Sequence, residues 1–194
     1  MRLKAKTTTI FAFSIATVSV ASASAQFSPT DQEIAGAIAP LPENLRDGAG
    51  VLGYRDGSLV ELREASNGII CLGDDPAQGG FHAACYHRDL EPFMARGRQL
   101  RAAGHGTAAV DSVRQAEIEA ETLAMPLEPR ALYSLSSRQE ADAATGVPAD
   151  ARGLYVIYVP YATEASTGIS AKPAGDRPWL MDPGTPWAHV MISR

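Results

Sequence analysis

The segment LYVIYVPY, residues 154–161, decides the fold that we predict for this chain. Both of its alternating sets of side chains are apolar, which is typical of a strand that is covered on its two faces. We therefore expect this segment to be the central strand of a sheet.

Five further apolar segments are predicted to be strands. Residues 51–54, 59–62 and 68–72 are separated by Asp56-Gly57 and Asn67-Gly68, two dipeptides that favour two-residue hairpin turns. These three segments should form an antiparallel meander. The remaining two strands are predicted at residues 131–135 and 187–193, whereas residues 73–84 are rich in glycine and should be irregular.

Three helices are predicted. The first begins at the capping-box signal TDQE, residues 30–33. The second begins near Asp89 and the third uses Asp111 as its N-cap, and these two helices should pair over the sheet. The prediction is a single α+β domain with an antiparallel or mixed sheet of about six strands and about three helices.

Residues 1–25 have the features of a secretory signal peptide. A cationic start is followed by an apolar run at residues 9–20, and Ala23-Ser24-Ala25 has the small-x-small form of a cleavage site. The apolar run is too short to span a bilayer. We therefore expect cleavage near Ala25 and a secreted or periplasmic domain, residues 26–194, without a membrane span.

The charge of the mature chain argues against nucleic acid as a partner. The leader holds three of the 17 Lys and Arg and none of the 22 Asp and Glu, so cleavage leaves a net charge of −8 with His neutral. Such a domain repels polyphosphates unless it has a local basic patch. One candidate patch exists, and its position near the end of the second helix favours a structural role: Arg88, Arg96, Arg98 and Arg101.

Cys71 and Cys85 are the only cysteines. In an oxidising compartment we expect them to form a disulfide. The chemical alternative is a metal site or an activated thiol in the segment FHAACYH, where His82 and His87 flank Cys85.

We expect no cofactor, although zinc could use His82, His87 and Glu91 because His87 and Glu91 are four residues apart. His189 is the best single catalytic histidine, since it follows a long loop. Asp74-Asp75 could bind a cation, but adjacent carboxylates in a glycine-rich turn are usually solvated.

Residues 162–186 form a long connection rich in Gly, Pro, Ser and Thr, and such loops often carry function. Trp179, Trp187 and Tyr161 could line a ligand site beside it. The alternative role of Trp187 and Tyr161 is in the core, whereas Trp179 should be exposed because its surroundings are rich in proline.

Residues 81–98 (FHAACYHRDLEPFMARGR) and 178–192 (PWLMDPGTPWAHVMI) resemble segments of uncharacterised exported bacterial proteins. The resemblance implies export and a single domain, and it implies no activity, cofactor or catalytic residue.

Two functions are compatible with these residues. The leading hypothesis is a non-catalytic module that binds a small ligand or an envelope protein through the 162–186 loop. The alternative is a small periplasmic hydrolase in which His189 or His87 acts with Glu91, with or without zinc. Convergence of His82, His87, Glu91 and His189 in one pocket would favour the hydrolase.

Overall fold

The computed structural model describes residues 29–173 and 175–193, which contain one mixed sheet of eight strands and five α-helices. The strands are β1 (Gly50–Arg55), β2 (Ser58–Arg63), β3 (Ile69–Leu72), β4 (Phe81–His87), β5 (Arg130–Ser137), β6 (Arg152–Tyr158), β7 (Trp179–Met181) and β8 (His189–Ser193). The helices are α1 (Pro29–Ile38), α2 (Glu43–Arg46), α3 (Glu91–Ala102), α4 (Thr107–Glu119) and α5 (Glu164–Thr167). The signal-peptide prediction concerns residues 1–25 and lies outside the described residues.

The sheet has the order β2-β1-β3-β4-β5-β6-β8-β7, and only β1 and β3 are parallel neighbours. The hairpin at Asp56-Gly57 is confirmed, with both residues at positive φ. The meander prediction is wrong for β3, which returns on the far side of β1. The reason is burial: β3 buries Ile69 and Cys71, whereas β2 is largely exposed and suits an edge.

Two strands were not predicted, so the sheet exceeds the expected six. β4 overlaps the glycine-rich stretch that we expected to be irregular, and β7 lies inside the predicted 162–186 loop. The sequence of β4, FHAACYH, lacks the β-branched residues that signal a strand. Its pairing with β3 on one side and β5 on the other supplies the missing stabilisation.

The interior position of the LYVIYVPY segment is confirmed, because β6 lies between β5 and β8. Its predicted burial on both faces is wrong. Val156 and Tyr158 are buried beneath the α3–α4 side, but Ile157 on the opposite face is 38% exposed. The difference arises because α1 packs over the β1, β3 and β4 half of the sheet and does not extend to β6.

The helices divide the core into two main parts. On one face, α1 packs its Ala37 against Val51 and the two cysteines. On the other face, the predicted pair α3 and α4 is confirmed, and Phe93 of α3 lies in a core that includes Tyr86. The helix α4 begins four residues before the predicted N-cap Asp111, which instead forms an ion pair.

The disulfide between Cys71 and Cys85 is confirmed. The two residues are directly opposite each other on β3 and β4, and both are fully buried. Within residues 29–173 and 175–193, no helix is both long enough and apolar enough to cross a membrane.

Candidate functional site

The four predicted catalytic or metal-binding candidates lie in separate places. His82 and His87 occupy opposite ends of β4, which places them about 16 Å apart along an extended strand. His189 lies in β8, three strands away. No group of three or more His, Cys, Asp and Glu in the described part of the chain could hold a metal ion. The convergence that the hydrolase hypothesis requires is therefore not observed there.

Glu91 is committed to a hydrogen-bonded link between β4 and α3. The Tyr86 hydroxyl donates to Glu91 Oε2 at 2.5 Å, and Arg98 donates to Glu91 Oε1 at 2.6 Å and to Tyr86 Oη at 3.0 Å. Burial raises the pKa of Tyr86, and the hydrogen bond to Glu91 raises that pKa further. His87 is similarly occupied, because its Nδ1 accepts from the Asp89 amide at the start of a 3₁₀ turn. These contacts are structural.

His189 and Trp187 belong to the core. The Nδ1–H of His189 donates to the Trp187 carbonyl at 2.7 Å, and the imidazole packs against Tyr158 at 5.1 Å between ring centroids. The Trp187 indole is stacked on Phe93, and its Nε1–H donates to Asp182. A ligand could reach Trp187, which is 6% exposed, only by displacing this packing.

The 162–186 segment is more ordered than its composition predicts. It contains α5, which begins with a capping box at Thr163 and Ser166, and the strand β7. Trp179 is half-buried on β7. Tyr161, just before the segment, is 52% exposed and adopts a positive φ of 61°.

A cleft that the sequence did not predict lies where β1 and β3, the parallel pair, both end. We call it the Asp74 cleft, and its volume is about 350 Å³. It lies between α1, the β3–β4 loop at residues 73–80 and the segment at residues 141–146. It is lined by Gln32, Glu33, Gly36, Ala37, Tyr54, Arg55, Asp74, Pro76, Phe81, Ala141, Asp142, Ala143 and Gly146.

The walls of the Asp74 cleft are fixed by close backbone contacts. Gly146 has a φ of +74°, and its carbonyl oxygen lies 2.6 Å from where a Cβ on Gly36 would be. Gln32 donates from Nε2 to the Ala143 carbonyl at 2.6 Å. Because neither glycine has a side chain, residues 141–146 can dock directly on α1. One wall of the cleft is therefore fixed by direct contact between residues 141–146 and α1.

Within the cleft, the Asp74 carboxylate is distinguished by its hydrogen bonding and by its raised pKa. Its Oδ1 accepts a 2.8 Å hydrogen bond from the His82 amide, whereas its Oδ2 accepts none from the described residues. Burial raises the pKa of the Asp74 carboxyl, the His82 amide opposes this effect, and the negative charge of Glu140 raises the pKa further. The site therefore holds a half-buried carboxylate with one oxygen available to a ligand.

The other charged groups around Asp74 are already paired. Glu33 accepts two hydrogen bonds from Arg55, at 2.9 and 3.1 Å. Asp75 accepts from the Ala77 amide and starts a turn. Asp75 thus stabilises a turn, whereas Asp74 faces the cleft.

A smaller cavity of about 170 Å³ lies on the other side of the β3–β4 loop and shares Asp74 and Tyr54 with the main cleft. Partial burial lowers the pKa of His82, which lines this cavity, although Asp74 acts in the opposite direction. Burial and the charge of Asp75 raise the pKa of Tyr54. At neutral pH the imidazole and the phenol are therefore uncharged, and Asp74 is the acidic group shared by the two cavities.

The cleft combines apolar surface with one carboxylate. Pro76, Ala141 and Ala143, which are exposed, give the cleft apolar surface beside the Asp74 carboxylate. The sequence signal for this site was the Asp74-Asp75 pair, but the pattern alone does not show which carboxylate is buried. Comparison with protein-family profiles, curated proteins and solved structures finds no match to this chain.

Proposed function

We propose that this protein is an exported, non-catalytic binding module whose ligand occupies the Asp74 cleft. The observation that carries the proposal is the half-buried carboxylate of Asp74, whose Oδ2 accepts no hydrogen bond from the described residues, in a cleft of about 350 Å³. A buried carboxylate is stabilised by a cation or a hydrogen-bond donor. The ligand class is therefore a small molecule with a cationic head and a short apolar body, which the exposed Pro76, Ala141 and Ala143 would contact.

Export is part of this proposal. Its support is the Cys71–Cys85 disulfide, which is typical of proteins from oxidising compartments. The leader predicted at residues 1–25 would deliver the chain there.

Asp74→Asn is expected to abolish ligand binding without destabilising the fold. Asn keeps an Oδ1 acceptor for the His82 amide but removes the charge that attracts the cation. Because the folded state raises the pKa of Asp74, its ionised form opposes folding near neutral pH, and this effect disappears as the pH falls through the folded-state pKa. The variant should therefore gain stability at pH 7, by less than about 1 kcal/mol because the site is partly solvated.

The measurement is an NMR titration of ¹⁵N-labelled protein with n-butylammonium, with 1-butanol as the uncharged probe. We expect saturable amide shifts at residues 74–82 and 141–146 with the cation alone, lost in Asp74→Asn and retained in the exposed control Asp176→Asn. Urea denaturation of the same variants at pH 7 and pH 3 tests the stability effect. Equal binding by wild type and Asp74→Asn would refute the proposal.

The 162–186 segment is the second candidate surface. The favouring observation is Tyr161, which is exposed and held at positive φ, a conformation that is uncommon for a bulky residue. The same titration separates the two sites, because shifts confined to Tyr161 and residues 162–186 would place the ligand there.

A further inference from the structure

A broad apolar groove lies between β3, the start of α3 and the segment at residues 124–128, which follows α4. We call it the Leu127 groove, and its volume is about 940 Å³. It shares no lining residue with the Asp74 cleft. Its apolar lining consists of Ile70, Pro92, Ala124, Met125, Pro126 and Leu127.

Leu127 is the most exposed large hydrophobic residue in the described part of the chain, at 77%. A single exposed leucine is ordinary on a protein surface, but Leu127 borders a groove that is itself apolar. Pro126 and Pro129 restrict the backbone on either side of it. Burial of Leu127 against a partner would therefore cost little conformational freedom.

Most of the charged groups that line the Leu127 groove are already paired within the chain. Arg130 donates to Asp89 at 2.8 Å, and Glu91 accepts from Arg98 at 2.6 Å. Each of these pairs sums to zero charge. The remaining charged residues in the lining are Arg88 and Glu128.

Arg88 and Glu128 leave one available charge of each sign beside the groove. Arg88 is exposed and forms no ion pair within residues 29–173 and 175–193. Glu61 and Glu64 line a neighbouring cavity with Arg88, but neither is within ion-pair distance of it. Glu128 is 81% exposed and makes only a 3.4 Å contact with Arg130. An exposed contact of this kind contributes little, so both charges are free to pair with another molecule.

One free cation and one free anion beside an exposed leucine make the surface complementary to a copy of itself. In a two-fold symmetric dimer every contact occurs twice with the roles exchanged. Arg88 of one protomer can then pair with Glu128 of the other, and the reverse, while each Leu127 enters the groove of its partner. A partner of one charge sign would gain one such pair and face a like charge at the other.

We propose that the Leu127 groove is the interface of a two-fold homodimer, with reciprocal Arg88–Glu128 ion pairs around the two buried Leu127 side chains. A central apolar anchor within a charged rim is the usual arrangement of a protein–protein interface. The interface is separate from the Asp74 cleft, and it does not depend on the proposed function.

Sedimentation equilibrium of the intact disulfide-bonded chain tests the dimer, and circular dichroism checks that each variant is folded. We expect wild type to reach a monomer–dimer equilibrium. Leu127→Ser should weaken association about tenfold or more, as expected for a central apolar anchor. Val60→Ser is the matched control, because Val60 is exposed but does not line the groove, and it should leave association unchanged.

Charge reversal tests the two-fold pairing. Arg88→Glu alone places two glutamates opposite each other, and Glu128→Arg alone places two arginines opposite each other, so each variant should be monomeric. An equimolar mixture of the two variants restores both ion pairs in a heterodimer, which should form about as tightly as the wild-type dimer. Arg177→Glu is the control for the change of charge and should dimerise normally.

Two results overturn the proposal. One is a wild-type chain that stays monomeric at about 1 mM, the concentration at which even weak specific association is detected. The other is a dimer that persists in Leu127→Ser and in both single charge reversals, because the interface would then lie elsewhere. A mixture of Arg88→Glu and Glu128→Arg that stays monomeric likewise overturns the reciprocal pairing.

Discussion

Replacing both Cys71 and Cys85 with alanine is expected to lower the free energy of unfolding by about 3 kcal/mol or more. The disulfide joins directly paired residues of β3 and β4 and closes a loop across a sequence separation of 14. A crosslink of this loop length restricts the unfolded chain by about 3 kcal/mol in the chain-entropy description. Both sulfurs are fully buried, so truncation also removes core packing.

Urea denaturation followed by circular dichroism measures this loss, with wild type compared after oxidation and after reduction in the unfolded state. Reduced wild type is the matched control, because it retains both side chains and lacks only the crosslink. A loss below about 1 kcal/mol would contradict the structural role. The intact mass of protein from native cells checks the related expectations, namely an oxidised pair and a chain that begins at Gln26.

Local sequence signals predicted the parts of the fold that depend on neighbouring residues. Asp56-Gly57 formed the expected hairpin because both residues adopt positive φ. The strand β4 was missed because its strand character depends on pairing with β3 and with β5, and β5 begins only at Arg130, far along the chain. Likewise, the placement of β3 beside β1 depends on which strand can be buried, a property of the assembled sheet.

The functional candidates likewise depend partly on local sequence and partly on contacts that only the assembled fold creates. Asp74 and Asp75 are adjacent and identical in chemistry, and only the tertiary fold turns one toward a cleft and the other into a turn. Arg114 lies one turn after the buried Val110 on α4 and is buried with it, because its guanidinium packs over the Phe93 ring of α3. Contacts between side chains from separate elements leave no periodic signal in the sequence.

Phe93→Ala is expected to lower the free energy of unfolding by about 3–5 kcal/mol, the range for deleting a buried aromatic ring. Phe93 is 2% exposed and contacts Tyr158, Trp187 and the Arg114 guanidinium. Its removal leaves a cavity between α3 and the sheet and takes the aromatic face from a nearly buried cation. Urea denaturation monitored by circular dichroism and Trp fluorescence provides the measurement.

A double-mutant cycle separates the cavity from the loss of the cation–π contact. Phe93→Leu keeps an apolar side chain but removes the ring, and Arg114→Met keeps a long side chain but removes the charge. If the ring stabilises the guanidinium, the two substitutions should show a coupling energy of about 0.5–2 kcal/mol. Additive effects would mean that Phe93 acts through packing alone, in which case the burial of Arg114 must be stabilised by its ion pair with Asp111.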